Sequence, residues 1–228
     1  MRIIVNHLTR MQPGYICVAG IDVASGHHIR PVLKGRISTH LLASNGGPFG
    51  MAALVDLGAV EYCGKAPQLE DHTFHFINTH SLGVIPHERF WKMLQSVALS
   101  SLVEIFGSAL RAHRNGCIVD LGTGEASLGC LIPSSPPNLY VGVGDKIRAC
   151  ITDGTFTVNL SVTDIRLCET DHKTPKTDLI KQINTKMKNG TPTIVSVGLG
   201  RPWRYADDSV ERHWLQVNNI HLEDSSVW

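Results

Sequence analysis

Residues 146–160 read KIRACITDGTFTVNL, and this stretch does most to assign the fold. Two runs rich in β-forming residues, Lys146 to Thr152 and Phe156 to Leu160, flank the dipeptide Asp153-Gly154. Such a dipeptide between two strand-like runs is a strong signal for a β-hairpin. A hairpin joins antiparallel strands directly, whereas parallel strands need a longer crossover that usually contains a helix. The segment therefore favours an antiparallel, strand-rich fold.

Upstream of the hairpin, residues 119–124 (VDLGTG) have the pattern of a nucleotide-binding loop in a Rossmann-type methyltransferase. In that fold a helix begins directly after the glycines. Here a strand-like run, Ser127 to Ile132, is followed by Pro133, Pro136 and Pro137. Proline removes a helical hydrogen bond and clashes with the preceding turn. We therefore interpret 119–124 as a strand that leads into a glycine-rich turn.

Further strand-like segments lie on both sides of the hairpin, separated by turn residues such as Pro13-Gly14 and Ser25-Gly26. They are Arg2 to Asn6, Tyr15 to Asp22, His28 to Leu33, Met51 to Tyr62 with a bend at Gly58, Thr73 to Ile77, Cys117 to Leu121, Leu139 to Val143, Val162 to Leu167, Thr193 to Leu199 and Trp214 to Leu222.

Two segments have helical periodicity instead. From Pro86 to Gly107 apolar residues recur at three- and four-residue steps, which predicts one amphipathic helix. The second helix, Asp178 to Lys188, has Thr177 as a candidate cap and Asn189-Gly190 as a stop signal.

This inventory predicts a mostly β fold with two helices (α+β). Each half has about five strands and one helix, and an OB-fold is a five-stranded Greek-key barrel. We expect two OB-like β-barrel modules packed as one compact unit: residues 1–85, a linking helix and connection over 86–115, and residues 116–228. A single α+β domain with one large sheet, or a PUA-type barrel, fits the same strand count.

Composition indicates an ordinary globular protein of the cytoplasm. The 228 residues are 43% hydrophobic, and no apolar run approaches the ~18 residues that span a membrane. The six cysteines lie far apart without a CxxC pair, so buried free thiols are expected rather than disulfides.

Charge is distributed unevenly although the net charge is only +1. Residues 1–36 contain five basic residues and one acid, and residues 173–204 contain seven basic residues and one acid. These two local positive stretches are consistent with a focused anionic ligand, and solvated surface charge would give the same pattern.

Polar and aromatic residues beyond the needs of packing occur in two segments. In the first, Asn6–Met11 and His28–Pro31, Arg10 and Arg30 are candidate phosphate contacts. In the second, Arg201 and Arg204 are candidates for phosphate or a base edge, and Trp203 is a candidate stacking platform. The strand that follows is mixed on both faces, and its candidates for a base or ligand contact are Asn218, Asn219 and His221. The alternative is that Trp203 and Trp214 pack internally and that Arg201 pairs with Asp207 or Asp208.

Metal and catalytic sites are not predicted. His72, His75 and His80 are close in sequence, but strand geometry would point His75 away from the other two. The sequence contains no GxSxG, HExxH or paired-carboxylate signature, so no catalytic residue, metal or cofactor is assigned.

At these two segments the sequence resembles the bacterial dual OB-containing domain family. The resemblance is carried by residues 5–11 (VNHLTRM), 16–22 (ICVAGID), 28–32 (HIRPV), 161–167 (SVTDIRL), 196–203 and 213–222. It implies two OB-like barrels and nucleic-acid binding, with roles near mobile elements and in antiviral defence, and it supplies no catalytic residues. The near-neutral charge and an aromatic content of 6% depart from a generic single-strand binder, which leaves a small or specific ligand open.

The predicted function is therefore that of a non-enzymatic protein that binds DNA or RNA. The resemblance implies a role for it in a bacterial defence or mobile-element system. The alternatives are recognition or processing of a nucleotide or modified base, and an adaptor for protein partners. No membrane partner is expected.

Overall fold

The computed structural model describes residues 1–205 and 208–224. Within these ranges it contains three α-helices and seventeen strands, several of them only two or three residues long. The predicted mostly β class is confirmed, with two curled sheets that are consistent with two OB-like modules. No helix in the described part of the chain has the length and apolarity needed to cross a membrane.

The first sheet contains eight strands from residues 2–84. Its order is β6-β7-β3-β2-β1-β5-β8, and β4 pairs with β2. The strands are β1 (Arg2–Arg10), β2 (Tyr15–Asp22), β3 (His28–Val32), β4 (Ile37–Ser38), β5 (Ala53–Asp56), β6 (Val60–Tyr62), β7 (Asp71–Phe74) and β8 (His80–Val84). The β3–β7 pair is parallel, and the curled sheet encloses a core that includes Phe49, Val55 and Leu57.

The second half contains a six-stranded and a three-stranded sheet. The larger has the order β10-β11-β17-β16-β12-β9, and the smaller has the order β13-β14-β15. The strands are β9 (Ala98–Leu99), β10 (Arg111–His113), β11 (Gly116–Asp120), β12 (Leu128–Leu131), β13 (Asn138–Gly142), β14 (Lys146–Thr152), β15 (Thr157–Ser161), β16 (Thr193–Leu199) and β17 (Arg212–Leu222). Their shared core includes Val119, Leu131, Leu160 and Val217.

The predicted hairpin is confirmed as β14 and β15. Its turn is held by Asp153, whose Oδ1 accepts hydrogen bonds from the backbone N–H groups of Thr155 and Phe156 at 2.9 and 2.7 Å. Gly154 has φ +92°, a backbone conformation that is unfavourable for residues with a side chain. The glycine-rich stretch after β11 is a turn that leads into β12, so the exclusion of a methyltransferase loop agrees with the structure.

The prediction of one helix over 86–107 was wrong. The structure has α1 (His87–Val97), then strand β9, then α2 (Leu102–Phe106). The helix ends at Ala98 because Ala98 and Leu99 pair in parallel with Cys130 and Leu131 of β12. Ser101 then starts α2 by accepting a hydrogen bond from Val103 N–H. The predicted second helix is confirmed as α3 (Thr177–Lys188), but the expected Thr177 cap was wrong, because Thr177 is the first helical residue and Lys176 precedes it without a side-chain cap.

Three strand predictions also needed correction. The strand predicted over Thr73 to Ile77 is β7, which begins at Asp71 and ends at Phe74, and Phe76–Asn78 form a 3₁₀ turn. Residues 51–62 form two strands, β5 and β6, separated at Gly58, whose φ is +70°. Residues 162–167 form isolated bridges at Val162 and Asp164 and then a 3₁₀ turn over Ile165–Leu167. The side chain of Asp164 caps that turn by accepting from Arg166 N–H.

The cysteines are free thiols, and the expected burial holds for half of them. Cys117, Cys130 and Cys168 are buried, Cys17 and Cys150 are half-buried, and Cys63 is exposed. Burial raises the pKa of Cys117 to about 12 and that of Cys130 to about 11, so both are neutral thiols at pH 7.

Two β-bulges shape the contact between the modules. In β1 the register shifts between Val5 and His7, and in β17 the residue left over is Asn218 because Ser196 pairs with Asn219 and Val197 with Val217. A bulge inserts one extra residue and breaks the alternation of faces. Consecutive polar residues of both strands are therefore buried where β1 and β17 meet.

Candidate nucleic-acid interface

Three aromatic side chains form an open cluster at the end of the second module, which we call the aromatic rim: Trp203, Tyr205 and Trp214. Their ring centroids are separated by 4.3 to 5.6 Å. The rim is held in place because Trp203 and Arg212 exchange backbone hydrogen bonds and Trp214 Nε1 donates to the Trp203 carbonyl at 3.1 Å. Trp203 nevertheless remains 45% exposed. An exposed indole on a fixed backbone is suited to stacking against a planar ligand.

Arginines surround the aromatic rim. The Arg114 guanidinium lies 4.7 Å from the centre of the Tyr205 ring, a cation–π contact. Arg114 and Arg212 share Asp208 at 3.6 and 3.3 Å. Arg212 and Arg111 also share Asp120, at 3.5 and 2.8 Å. Three arginines and two aspartates thus form one network of ion pairs beside the rim.

Arg201 and Arg30 bind the same carboxylate but differ in environment. Arg30 Nε donates to Asp71 Oδ1 at 2.5 Å, and Arg201 Nη2 donates to Asp71 Oδ2 at 3.2 Å. The Arg30 side chain is only 6% exposed, whereas the Arg201 side chain is 58% exposed. Arg30 therefore belongs to the interior, and Arg201 presents the rest of its guanidinium to solvent next to the rim.

The predicted contact of Arg10 with the same ligand does not fit the structure. Residues on adjacent positions of a strand face opposite sides, so Arg10, which pairs with Ile16, lies on the other face from Thr9 and Cys17. Arg10 donates to the Val162 carbonyl at 3.4 Å. The structure thus does not unite Arg10 and Arg201 in one anion pocket. Arg204 is exposed and follows Trp203 directly.

Asn218, Asn219 and His221 are buried rather than displayed to a ligand. Asn219 Oδ1 accepts from Leu8 N–H at 2.8 Å, and its Nδ2 donates to the Leu8 carbonyl at 3.1 Å. The Asn219 side-chain amide thus makes the two hydrogen bonds to Leu8 of β1 that the backbone of a neighbouring strand would otherwise make. His221 Nε2 is bonded to Ser196 Oγ at 2.9 Å. The predicted base contacts by these residues are replaced by contacts between the modules.

We call the following set, which is buried except for the half-buried His28, the polar junction: Asn6, His7, His28, Cys130, Ser196, Asn218, Asn219 and His221. Burial lowers the pKa of His7 and His221 well below the ordinary value, with smaller effects from neighbouring positive groups. It lowers the pKa of His28 to about 4, so these histidines are neutral at pH 7.

Other contacts fix the modules beside the rim. Glu70 accepts hydrogen bonds from Ser127 N–H and Oγ at 2.7 Å and from Leu128 N–H at 3.1 Å. Gln68 Nε2 lies 2.9 Å from His213 Nδ1. Segment 68–71 of the first module therefore packs against the strands that carry the rim.

A cleft of about 590 Å³ lies where the two modules meet. Its apolar wall includes Phe49, Phe90 and Trp91, and its polar wall includes Arg166 and Lys176. The volume and the mixture of apolar and basic groups are typical of a small-molecule site.

The structure therefore keeps Arg201, Trp203 and Arg204 of the predicted site at the surface. Arg30 lies beneath Arg201 on the same carboxylate but is buried, as are Asn218, Asn219 and His221, and Arg10 bonds the Val162 carbonyl instead. Sequence reasoning missed Tyr205, Arg114 and Arg212. Arg114 comes from a charged connection about ninety residues upstream of Tyr205, so only the fold shows that these two residues are in contact. Trp214 was also singled out in the sequence. It packs against Trp203, which remains exposed to solvent.

Comparisons with known proteins identify one family. Residues 1–220 match the profile of the dual OB-containing domain. Among solved structures, a murine DNA-binding protein bound to double-stranded DNA aligns over 97% of this chain and 96% of its own, with 9% sequence identity and a TM-score of 0.31. No curated protein shows significant sequence similarity to this chain.

Proposed function

Since the chain belongs to the dual OB-containing domain family, we propose that it binds nucleic acid through the aromatic rim and the arginines beside it. The observation that carries this proposal is the half-exposed Trp203 between Arg201 and Arg204. OB-folds bind oligonucleotides, and they commonly do so by stacking aromatic side chains on bases and by contacting the phosphate backbone with basic groups. The role in a bacterial defence or mobile-element system that the resemblance implies stays a prediction.

Side-chain chemistry decides which residues contact the bases and which contact the phosphates. Trp203 stacks on a base, because an indole face accepts any base and the ring is already oriented by its contact with Trp214. Arg204 and the solvent-facing edge of Arg201 contact phosphates, because guanidinium forms two parallel hydrogen bonds to an anion. Asp208 and Asp120 pair with the arginines beside the rim, which favours moderate affinity, and the phosphate contacts make that affinity dependent on salt.

Fluorescence anisotropy with labelled single-stranded and duplex oligonucleotides at low salt tests the proposal. Trp203→Ala is expected to weaken binding by about 5- to 150-fold, since stacking of one base contributes about 1–3 kcal/mol. Phe76→Ala is the matched control, because Phe76 is a 52%-exposed aromatic outside the rim. The proposal fails if the wild-type protein does not bind, or if both variants bind like the wild type.

A second candidate function is recognition of a nucleotide, and the cleft of about 590 Å³ favours it. Lys176 and Arg166 line the cleft together with aromatic side chains, a combination suited to a phosphate and a base. A thermal-shift panel of nucleotides tests this function. One nucleotide should raise the melting temperature of the wild type and of Trp203→Ala, and raise that of Lys176→Ala less.

A further inference from the structure

Three metal-binding types of side chain converge inside the polar junction. His7 lies on β1, His28 is the first residue of β3, and Cys130 lies on β12 of the second module. One ligand atom from each, a ring nitrogen or the sulfur, lies within 4.8 Å of the other two. Cys130 Sγ and His28 Nε2 are 3.9 Å apart. Among the described residues this is the one such group of three, and His72, His75 and His80 do not form another.

One nitrogen of this group lacks a partner. His7 is buried, and its Nε2 has no hydrogen bond to any residue that the structure describes. Buried polar atoms in proteins are nearly always paired, and an orphaned one calls for a missing ion or water. The other ring nitrogen, Nδ1, is 3.0 Å from Asn218 Nδ2. The His7 ring is therefore held by one nitrogen while the other is left unused.

Asn6, the bulge residue of β1, brings a fourth polar group to the same place. Its Nδ2 lies 3.2 Å from His28 Nε2 and 3.3 Å from Cys130 Sγ, while its Oδ1 is buried without a partner. Rotation of this amide by half a turn exchanges the two atoms. Oδ1 then lies against the histidine nitrogen and the sulfur, where an oxygen ligand to a cation would be.

These separations are close to those of a tetrahedral zinc site. With Zn–N near 2.0–2.1 Å and Zn–S near 2.3 Å, neighbouring ligand atoms are about 3.3–3.6 Å apart. The separations among Asn6, His28 and Cys130 are 3.2 to 3.9 Å, already close to these values. The His7 ligand atom lies within 4.8 Å of those of His28 and Cys130, so the His7 ring has to move inward by at most about 1.5 Å. Hydrogen bonds among the three groups alone would satisfy His28 and Cys130 but not His7 Nε2.

We propose that His7, His28 and Cys130, with Asn6 as the fourth ligand, form a binding site for one zinc-type divalent cation. Imidazole and thiolate are the ligands that Zn²⁺ prefers. Binding breaks the Cys130 S–H bond, releases the proton to solvent and forms a Zn–S bond. Because two ligands and the bulge residue belong to the first module and Cys130 to the second, the cation cross-links the modules.

Partners around the ligands support this arrangement. Gln216 Nε2 donates to Asn218 Oδ1 at 3.0 Å. This hydrogen bond orients the Asn218 amide, whose Nδ2 contacts His7 Nδ1. If the side-chain amides of Gln216 and Asn218 both rotate by half a turn, Asn218 Oδ1 accepts a hydrogen bond from His7 Nδ1–H. The lone pair of His7 Nε2 is then free for the cation. A hydrogen-bonded second nitrogen is the usual feature of a metal-bound histidine. Ser196 Oγ lies 3.7 Å from Cys130 Sγ and is able to stabilise the thiolate.

The test uses the full chain without a polyhistidine tag, stripped with a chelator and dialysed. Titration with Zn²⁺ should give one tightly bound equivalent by elemental analysis and a rise in melting temperature. Titration with Co²⁺, which occupies the same sites, should give the intense near-ultraviolet band of a sulfur-to-cobalt transition and visible bands typical of tetrahedral coordination.

Two conservative variants report on the ligands. Cys130→Ser and His28→Asn should each weaken Zn²⁺ binding by about 100-fold or more, and Cys130→Ser should also abolish the sulfur-to-cobalt band. Cys117→Ser is the control, because Cys117 is another buried cysteine and lies in a different core. It should retain one equivalent of Zn²⁺. If Cys130→Ser does not fold, the Co²⁺ spectrum of the wild type and the affinity of His28→Asn decide the question.

The proposal is overturned if the stripped wild type binds no Zn²⁺ at micromolar concentration. It is also overturned if Co²⁺ gives no sulfur band, or if Cys130→Ser or His28→Asn binds Zn²⁺ as tightly as the wild type. Nucleic-acid binding through Trp203 is measured separately, so failure of either proposal leaves the other unaffected.

Discussion

The aromatic rim and the polar junction are built from neighbouring segments of sequence but are opposite in exposure. The rim presents Trp203 to solvent, whereas the junction buries Asn218, Asn219 and His221, which begin fifteen residues further along the chain. The difference arises from one bulge in β17, which places consecutive polar residues inside the protein. Polar richness in a strand thus marks either a ligand surface or a contact between modules, and local exposure distinguishes them.

The sharpest way to test this contrast is the pair of arginines on Asp71. Arg30→Ala should lower the free energy of unfolding by about 3–5 kcal/mol, because it removes the buried partner of Asp71 and leaves that buried carboxylate with only the solvated Arg201 as its ionic partner. Arg201→Ala should lower it by less than about 1 kcal/mol, because that side chain is largely solvated. Urea denaturation measures both. Equal losses for the two variants would contradict the distinction between interior and surface.

Asn219→Ala should also act on stability. It removes the partners of both Leu8 N–H and the Leu8 carbonyl, each buried, at a cost of about 2–5 kcal/mol in total. Asn115→Ala, at an exposed position, is the comparison. Chemical denaturation gives the stability, and anisotropy of the folded protein should show unchanged oligonucleotide affinity. A specific loss of affinity in Asn219→Ala would restore a ligand role for this residue.

His221 makes the junction sensitive to acid. Its pKa is lowered in the folded state by burial first and by the Arg166 charge second. The stability that depends on neutral His221 is therefore complete above the ordinary pKa of about 6.5 and is lost as pH falls below it. Between about pH 7.5 and about pH 5.5, His221→Gln should lose about 1.4 kcal/mol less stability than the wild type.

Urea titrations at the two pH values measure this difference. His75→Gln, at an exposed position, should follow the wild type. If His221→Gln has the same pH dependence as the wild type, protonation of His221 does not contribute to acid sensitivity.

The smallest expected effect separates charge from stacking within the rim. Arg204→Ala should reduce the slope of log affinity against log salt by about 1, because one phosphate contact is lost. Trp203→Ala should weaken binding without changing that slope. Anisotropy at several salt concentrations gives both values, with Arg89→Ala on α1 as a control for removal of one exposed charge. A slope unchanged in Arg204→Ala would exclude a phosphate contact there.

Local signals predicted much of the fold. The Asp153-Gly154 turn, the α3 helix and strand β16 agree with the structure because each depends on residues close in sequence. The first helix was predicted too long because the apolar periodicity continues through Ala98 and Leu99. Their pairing with β12, thirty residues away, overrides that periodicity. Tertiary pairing of this kind leaves no local signal.

The candidate site was predicted only in part for a related reason. Segment 201–204 was identified from residue chemistry, and its exposure agrees with that interpretation. Asn6, His7 and His28 also belonged to segments singled out in the sequence, but Cys130 lies more than a hundred residues away from them. Strict alternation assigned Asn218 and Asn219 to opposite faces of β17. The bulge, which brings both inside, follows from pairing with β16 and not from composition.

The amide of Asn219 that completes β1 has a consequence for biosynthesis. Leu8 and Asn219 are 211 residues apart, so the backbone groups of Leu8 lack the Asn219 amide until residue 219 has been made. At about 5–20 residues per second, translation takes about 10–40 s to cover that interval. During that interval the edge of β1 at Leu8 lacks this partner, so the first module completes its hydrogen bonding only after the strand of the second module that carries Asn219 has been made.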